Sequence, residues 1–193
     1  MIKRAFDLVA GTALSVLTAP LVAALALLVA LESRGHPIYT QTRVGLDGRP
    51  FQIFKLRTMV SGAEHHGAGL AINAGDTRIT RVGRVLRRYS LDEVPNLWNV
   101  VRGEMSIVGP RPTLQHQVDD YTEHQRGRLS VKPGITGWAQ VNGRNALPWP
   151  ERIELDLWYV EHCSMALMLR SIRTIPVCCP TCVVTRMRRW WSF

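Results

Sequence analysis

Between Leu8 and Leu31 the chain runs 24 residues without a charged side chain, and that run constrains everything built after it. As a straight helix it would measure about 36 Å, longer than a bilayer core of about 30 Å. A cleaved signal peptide fits poorly, because its apolar region spans only about 7–15 residues. The run therefore reads as a membrane segment. Pro20 stands near its middle, where it removes a backbone donor and disfavours helical geometry at Ala19. A kinked span and a re-entrant hairpin both follow from such a break. Flanking charge separates them: Lys3 and Arg4 precede the run, and Arg34, Arg43, Arg49, Lys55 and Arg57 follow it. The positive-inside rule places both flanks in the cytoplasm. A helix that enters, bends at Pro20 and returns satisfies both flanks, whereas a single span does not. Carbonyls freed at the bend need partners, which Thr12, Ser15 or Thr18 can supply.

From Glu32 onward the sequence is that of a folded domain. Pro37 to Val44 and Pro50 to Arg57 alternate like strands around the turn residues Gly45-Leu46-Asp47-Gly48, which predicts a hairpin with Lys55 and Arg57 at its end. Ser61 to Gly75 is a glycine-rich loop whose His65-His66 pair lacks a second ligand cluster at metal spacing, so these histidines read as solvated. Thr80 caps a predicted helix over Arg81–Arg88, with Val82, Val85, Leu86 and Tyr89 on its buried side and Arg81, Arg84 and Arg88 opposite. A second helix through Leu97, Trp98 and Val101 ends near Gly103. Tyr121 to Leu129 reads as a short polar helix. Glu151 to Val160 continues with helical period into Met165–Leu169 and carries Asp156 among apolar neighbours.

The chemistry concentrates at Ser90-Leu91-Asp92-Glu93-Val94-Pro95, after five arginines between Arg78 and Arg88 and before the rigid turn Gly109-Pro110-Arg111-Pro112. Ser90 and Glu93 have capping-box spacing, which puts Asp92 and Glu93 in a first helical turn, where free N–H groups and the helix dipole favour negative charge and attract anions. Pro95 fits equally as the first residue of a helix starting one turn later. The plain alternative is that the two acids only cap a helix. Overall charge argues for an anionic partner: 24 basic residues against 15 acidic ones give +9, and 21 of the basic ones are Arg, whose planar fork binds phosphate oxygens in pairs. A G+C-rich genome yields the same Arg-over-Lys bias without a functional cause.

Lys132 to Asn145 is a glycine-rich loop leading into a strand, able to bring N–H groups to phosphate with Lys132 and Arg144 as charge partners. The four cysteines lie in the last 31 residues, so no disulfide framework spans the chain, and Cys178, Cys179 and Cys182 lack a fourth zinc ligand. No phosphate loop, dinucleotide fingerprint, nucleophile elbow or Asp-x-Asp pair is present. Phosphate chemistry is left to the dyad and the arginines.

In this order, Lys3-Arg4-x-Phe6-Asp7, the Pro20 break, Phe54-Lys55-Leu56-Arg57-Thr58-Met59, Ser90 to Pro95, Met105-Ser106-x-Val108-Gly109-Pro110-Arg111-Pro112, Lys132-Pro133-Gly134-x-Thr136-Gly137 and Asp156-x-x-Tyr159 resemble the bacterial sugar transferases known as monotopic phosphoglycosyl transferases. The resemblance covers residues 1–173. It departs at Ala19-Pro20, where the family has Ser-Pro, which leaves Thr18 as the source of a steadying hydroxyl. It also lacks the preceding membrane domain of longer members, as a minimal catalytic unit would.

The resemblance implies a two-step transfer of sugar 1-phosphate from a UDP-sugar to a polyprenyl (undecaprenyl) phosphate, opening exopolysaccharide, capsule, O-antigen or glycan assembly. Asp92 would be the nucleophile and Glu93 the Mg²⁺ ligand. Arg57, Arg88, Arg111, Lys132 and Arg144 would bind phosphate or nucleotide, with Asp156 a secondary site residue. The expected fold is α+β: a re-entrant membrane helix hairpin over 1–33, a small, mostly helical cytoplasmic domain with a β-hairpin over 34–173, and a basic, aromatic tail over 174–193 suited to the inner-membrane interface. A non-catalytic basic scaffold docked on the membrane is the competing reading. A nucleic-acid partner is not expected, given the membrane segment and the absence of a binding motif.

Overall fold

The structure, a computed structural model, describes residues 2–63, 75–143 and 147–174. The His65-His66 pair, Arg144, Cys178, Cys179, Cys182 and the basic, aromatic tail lie outside the described residues.

The apolar run folds as one helix, α1 (Ile2–Glu32), with Pro20 inside it. The expected break into two arms is absent from the helical assignment, which passes through Pro20. Thr18 Oγ donates to the Leu14 carbonyl one turn back at 2.7 Å. Among the residues of α1 only Asp7, Gly11 and Val29 are buried; Phe6, Val22, Leu25 and Ala26 are partly buried against the domain, while Val9, Val16, Leu17, Leu27 and Leu31 are among the apolar side chains left exposed. By length and composition the helix can cross a membrane.

Both ends of α1 nevertheless dock on one domain. At the start, Lys3 Nζ donates to the Val108 carbonyl at 3.0 Å, Arg4 donates to the Val100 and Val101 carbonyls at 2.7 and 2.9 Å, and Asp7 accepts from the Ile107 N–H at 3.0 Å. At the finish, Val29 packs with Leu56 and Leu86, and the Glu32 carboxylate accepts from the N–H groups of Arg81 and Val82 at 2.7 and 3.0 Å. Glu32 thus satisfies two of the orphan donors that open the next helix.

That domain is assembled from small pieces. Strands β1 (Ile38–Val44) and β2 (Pro50–Leu56) form the expected antiparallel hairpin, with Tyr39 opposite Lys55 and Arg43 opposite Phe51. Helix α2 (Arg81–Arg88) is capped by Thr80, whose hydroxyl accepts from the Gly83 N–H. Only part of its expected buried face is buried: Leu86 is inside, whereas Val85 and Tyr89 are exposed. A 3-10 turn over Leu91–Asn96 contains Pro95 and runs into α3 (Leu97–Arg102), which Gly103 ends at φ 86°.

The first glycines of the 132–145 loop take part in a strand pairing. Strand β3 (Ser106–Val108) pairs in parallel with β4 (Gly134–Thr136), and Gly109 N–H and Gly134 N–H are bonded to the Thr136 and Pro110 carbonyls. A Cβ on Gly134 would lie 2.1 Å from Gly109 N, so these glycines let two backbones meet.

Short helices α4 (Gln115–Asp119), α5 (Glu123–Arg126), a 3-10 turn over Gly127–Ser130 and α6 (Trp138–Val141) lead to α7 (Trp149–Glu161) and α8 (Met165–Thr174). The expected continuous C-terminal helix is interrupted at His162–Ser164, where the Ser164 hydroxyl caps α8. Val108, Trp138, Val141, Tyr159 and Met168 form the core beneath these helices, with Phe6 of α1 packed on it.

Candidate active site

A cavity of about 710 Å³ opens between the hairpin, the end of α2, the following 3-10 turn and α7. Its lining includes the cations Arg43, Lys55, Arg57, Arg87, Arg111, Arg128 and Arg152, against the carboxylates of Asp92, Glu93 and Asp156. An excess of guanidinium groups in a walled cavity fits a polyanion. The hairpin contributes through its period of two. Arg43, Gln41 and Tyr39 stand opposite Phe51, Ile53 and Lys55, so the face that buries Phe51 and Ile53 in the core continues into the cavity as cations.

Asp92 and Glu93 enter by way of a strained residue. Ser90 sits in the left-handed region at φ 55°, and its side chain makes no cap hydrogen bond, so the expected capping box does not form. The pair still occupies the first turn, here of 3-10 type. Within it the two carboxylates have different surroundings. Glu93 Oε1 accepts from Lys55 Nζ at 2.8 Å and from Arg111 Nη2 at 2.6 Å, while Oε2 has only the longer Arg111 Nη1 contact at 3.4 Å. Burial would raise the Glu93 carboxyl, but Arg111 and Lys55 outweigh it and bring it down to about 2. Asp92 has no ion pair with a described residue, and its hydrogen bond is to its own backbone. Burial, and then the neighbouring Glu93, push its carboxyl above the ordinary value, with Lys55 and Arg87 opposing. One carboxylate is pinned and the other is available.

The remaining expected residues divide. Arg111 lines the cavity and binds Glu93. Arg57 also lines it, but its guanidinium donates to the carbonyls of Ser33, Arg34 and Gly35 and braces the exit from α1. Arg88 is exposed on the outer side of α2, and Arg87 is the residue that turns inward, its Nε donating to Thr58 Oγ at 2.7 Å. Lys132 lies outside the cavity lining, in the field of Lys3, Arg4 and Asp7. Asp156 is in the lining, buried against Arg128 at 2.6 Å.

Sequence reasoning passed over Arg43, Arg87, Arg128 and Arg152. Strand alternation was a usable signal for Arg43. Arg128 was hidden inside a segment that reads as a short polar helix.

For a divalent cation the described residues offer two adjacent carboxylates and no group of three His, Cys, Asp or Glu side chains. That donor set fits Mg²⁺, which takes one or two carboxylates together with substrate phosphates and water, and Glu93 Oε2 is the less occupied oxygen.

A family model described as bacterial sugar transferase matches residues 1–180. The chain belongs to that family. The match reaches beyond Arg173, where the resemblance read from the sequence stopped. Among relatives, the chain is 43% identical over 172 residues to an uncharacterized sugar transferase of Bacillus subtilis, covering 89% of this chain and 84% of that protein. It is 44% identical to a UDP-glucose:undecaprenyl-phosphate glucose-1-phosphate transferase of Caulobacter vibrioides, covering 90% of this chain and 68% of that one. At 40% identity it matches a UDP-N-acetylgalactosamine-undecaprenyl-phosphate N-acetylgalactosaminephosphotransferase of Aeromonas hydrophila, where 90% of this chain spans 43% of the relative. Members named for glucose and for N-acetylgalactosamine are thus about equally similar, and similarity does not select a sugar.

Proposed function

We propose that this transferase moves a sugar 1-phosphate from a UDP-sugar to a polyprenyl phosphate, through an acyl phosphate that joins the phosphosugar to Asp92. The observation that carries this reading is the unpinned Asp92 carboxylate beside a Glu93 held by Lys55 and Arg111, in a cavity rich in guanidinium groups. An Asp92 oxygen attacks the β-phosphorus, and the bond to the departing UMP breaks with its electron pair on UMP. An oxygen of the polyprenyl phosphate then attacks the same phosphorus, breaks the bond to Asp92 and restores the carboxylate. Splitting the transfer lets one carboxylate serve two substrates in turn. Arg43, Arg87 and Arg111 neutralise phosphate charge along the lining, and Lys55 favours the ionised form of Asp92. Glu93 would hold Mg²⁺, which when bound neutralises further phosphate charge.

In this reading α1 is re-entrant in the cytoplasmic leaflet of the bacterial inner membrane, and the domain is cytoplasmic. Docking of both helix ends on one domain supports it. The names of the relatives support the substrate classes, and one of them, from Rhizobium meliloti, is named an exopolysaccharide production protein. The test is a panel of UDP-sugars without lipid acceptor. The expected result is one equivalent of UMP per protein and a mass increase on the peptide containing Asp92. Turnover with no labelled intermediate would overturn the two-step scheme.

A further inference from the structure

The outer face of α2 differs from an ordinary solvated helix face. Arg81, Arg84, Val85, Arg88 and Tyr89 come round to one side, while Val82 and Leu86 pack against Val22, Leu25, Ala26 and Val29 of α1. Val85 is 54% exposed and Tyr89 64%, and the Arg88 guanidinium lies 5.8 Å from the centre of the Tyr89 ring. Trp98 on α3, which also packs against α1, is 55% exposed. Arg84 and Arg88 form no salt bridge with a described carboxylate, and Arg81 has the Glu32 carboxylate beside it on its own N–H. Three exposed cations with an exposed aromatic ring on one helix face, next to a long helix many of whose apolar side chains are exposed, form the pattern found where a protein meets a bilayer interface.

We propose that this outer face of α2 binds the headgroups of anionic phospholipids. Arg81, Arg84 and Arg88 supply the charge, and Tyr89 sits at the boundary between headgroup and acyl chain. Continuity with α1 sets the depth, since α2 packs on the last turns of the apolar helix, and charge complementarity sets the lipid class. The adjacent Arg87 turns the opposite way, into the cavity, so consecutive arginines divide between lipid and site. Anchoring α2 also holds the 3-10 turn that carries Asp92 at headgroup depth. This surface rests on the membrane placement of α1 proposed above but not on the transfer reaction, and its test needs no turnover.

The full chain is reconstituted in phosphatidylcholine vesicles with spin-labelled phosphatidylglycerol or spin-labelled phosphatidylcholine as probe. Wild type is expected to associate with phosphatidylglycerol in preference, and salt should weaken the preference by screening. Replacing Arg81, Arg84 and Arg88 together by Gln should remove it, by up to about fivefold per arginine. Replacing the same three by Lys should keep most of it, because the charge remains. Should the Gln triple variant not fold by thermal unfolding, Arg84→Gln alone and the salt titration of wild type give the same decision. Equal association of the two probes with wild type overturns the proposal, as does an unchanged preference in the folded Gln variant. A face that instead takes a protein or free phosphate shows no lipid preference, which also overturns it.

Discussion

Two adjacent carboxylates carry the same formal charge, but among the described residues only Glu93 is held by ion pairs, to Lys55 and Arg111. If Asp92 is the nucleophile of the proposed transfer, Asp92→Asn should abolish both turnover and labelling, because an amide cannot form the acyl phosphate. Asp92→Glu keeps the charge but moves the oxygen by about one methylene, and misplacement on that scale can cost on the order of 10²-fold in rate. Steady-state rates of the two variants check this, and near-wild-type turnover by Asp92→Asn would sink the mechanism. Glu93 makes a prediction about acid. Its carboxyl is held at about 2 against an ordinary value of 4.5, so the native state binds its proton more weakly than the unfolded chain. The stabilisation is fully present above the unfolded value and is lost as pH falls from about 4.5 through about 2. Denaturant midpoints measured over that interval should fall more steeply for wild type than for Glu93→Gln. Identical slopes would mean that Lys55 and Arg111 do not bind Glu93 in solution.

At the scale of elements, the cavity depends on a join that spans three of them. Arg128, in the 3-10 turn after α5, donates to Asp156 of α7 at 2.6 Å and to the Arg111 carbonyl at 3.3 Å, and its guanidinium also contacts the Tyr121 hydroxyl. Burial pushes the Asp156 carboxyl up, while Arg128 pulls it down. Both side chains are only 4% exposed. Removing one partner leaves a buried charge without its counter-ion, so Arg128→Met or Asp156→Leu alone should cost about 3–5 kcal/mol. The double variant should cost clearly less than the sum, because it leaves no orphan charge. Unfolding free energies of the three variants test this, and strict additivity would show that the pair is not coupled. The hairpin, the Thr80 cap and the stop at Gly103 were all legible beforehand, because each depends on neighbours within a few residues. The Ser90–Glu93 capping box was not, since Ser90 takes a left-handed conformation that its spacing does not announce.

For the whole molecule, the decisive relation is between a long apolar helix and the domain that holds both of its ends. A straight 31-residue helix would span about 46 Å, yet Arg4 near its start and Glu32 at its end are bonded to the same small domain. A transmembrane span would place those ends on opposite sides of the bilayer. We therefore expect cysteines introduced at positions 2 and 34 to resist a membrane-impermeant thiol reagent in intact cells and to react after lysis. Labelling of either position in intact cells would rule out the re-entrant arrangement.

Local chemistry made much of this protein readable from sequence alone. Length and the lack of charge mark the long apolar helix, alternation marks the hairpin, and two neighbouring acids among arginines point to the cavity proposed as the site. Such signals need only residues close in sequence. Tertiary structure decided which arginines serve the cavity. Arg87 turns inward and Arg88 outward although they are adjacent, and Arg57 is used as a brace. It also decided that the glycines of the 132–145 loop join β3 to β4, and that Arg128 and Asp156, 28 residues apart, form one buried pair. The physical reason is the same in each case: the direction of a long charged side chain and the identity of its counter-ion are set by which distant backbone packs against it, and that is not written in its own neighbourhood.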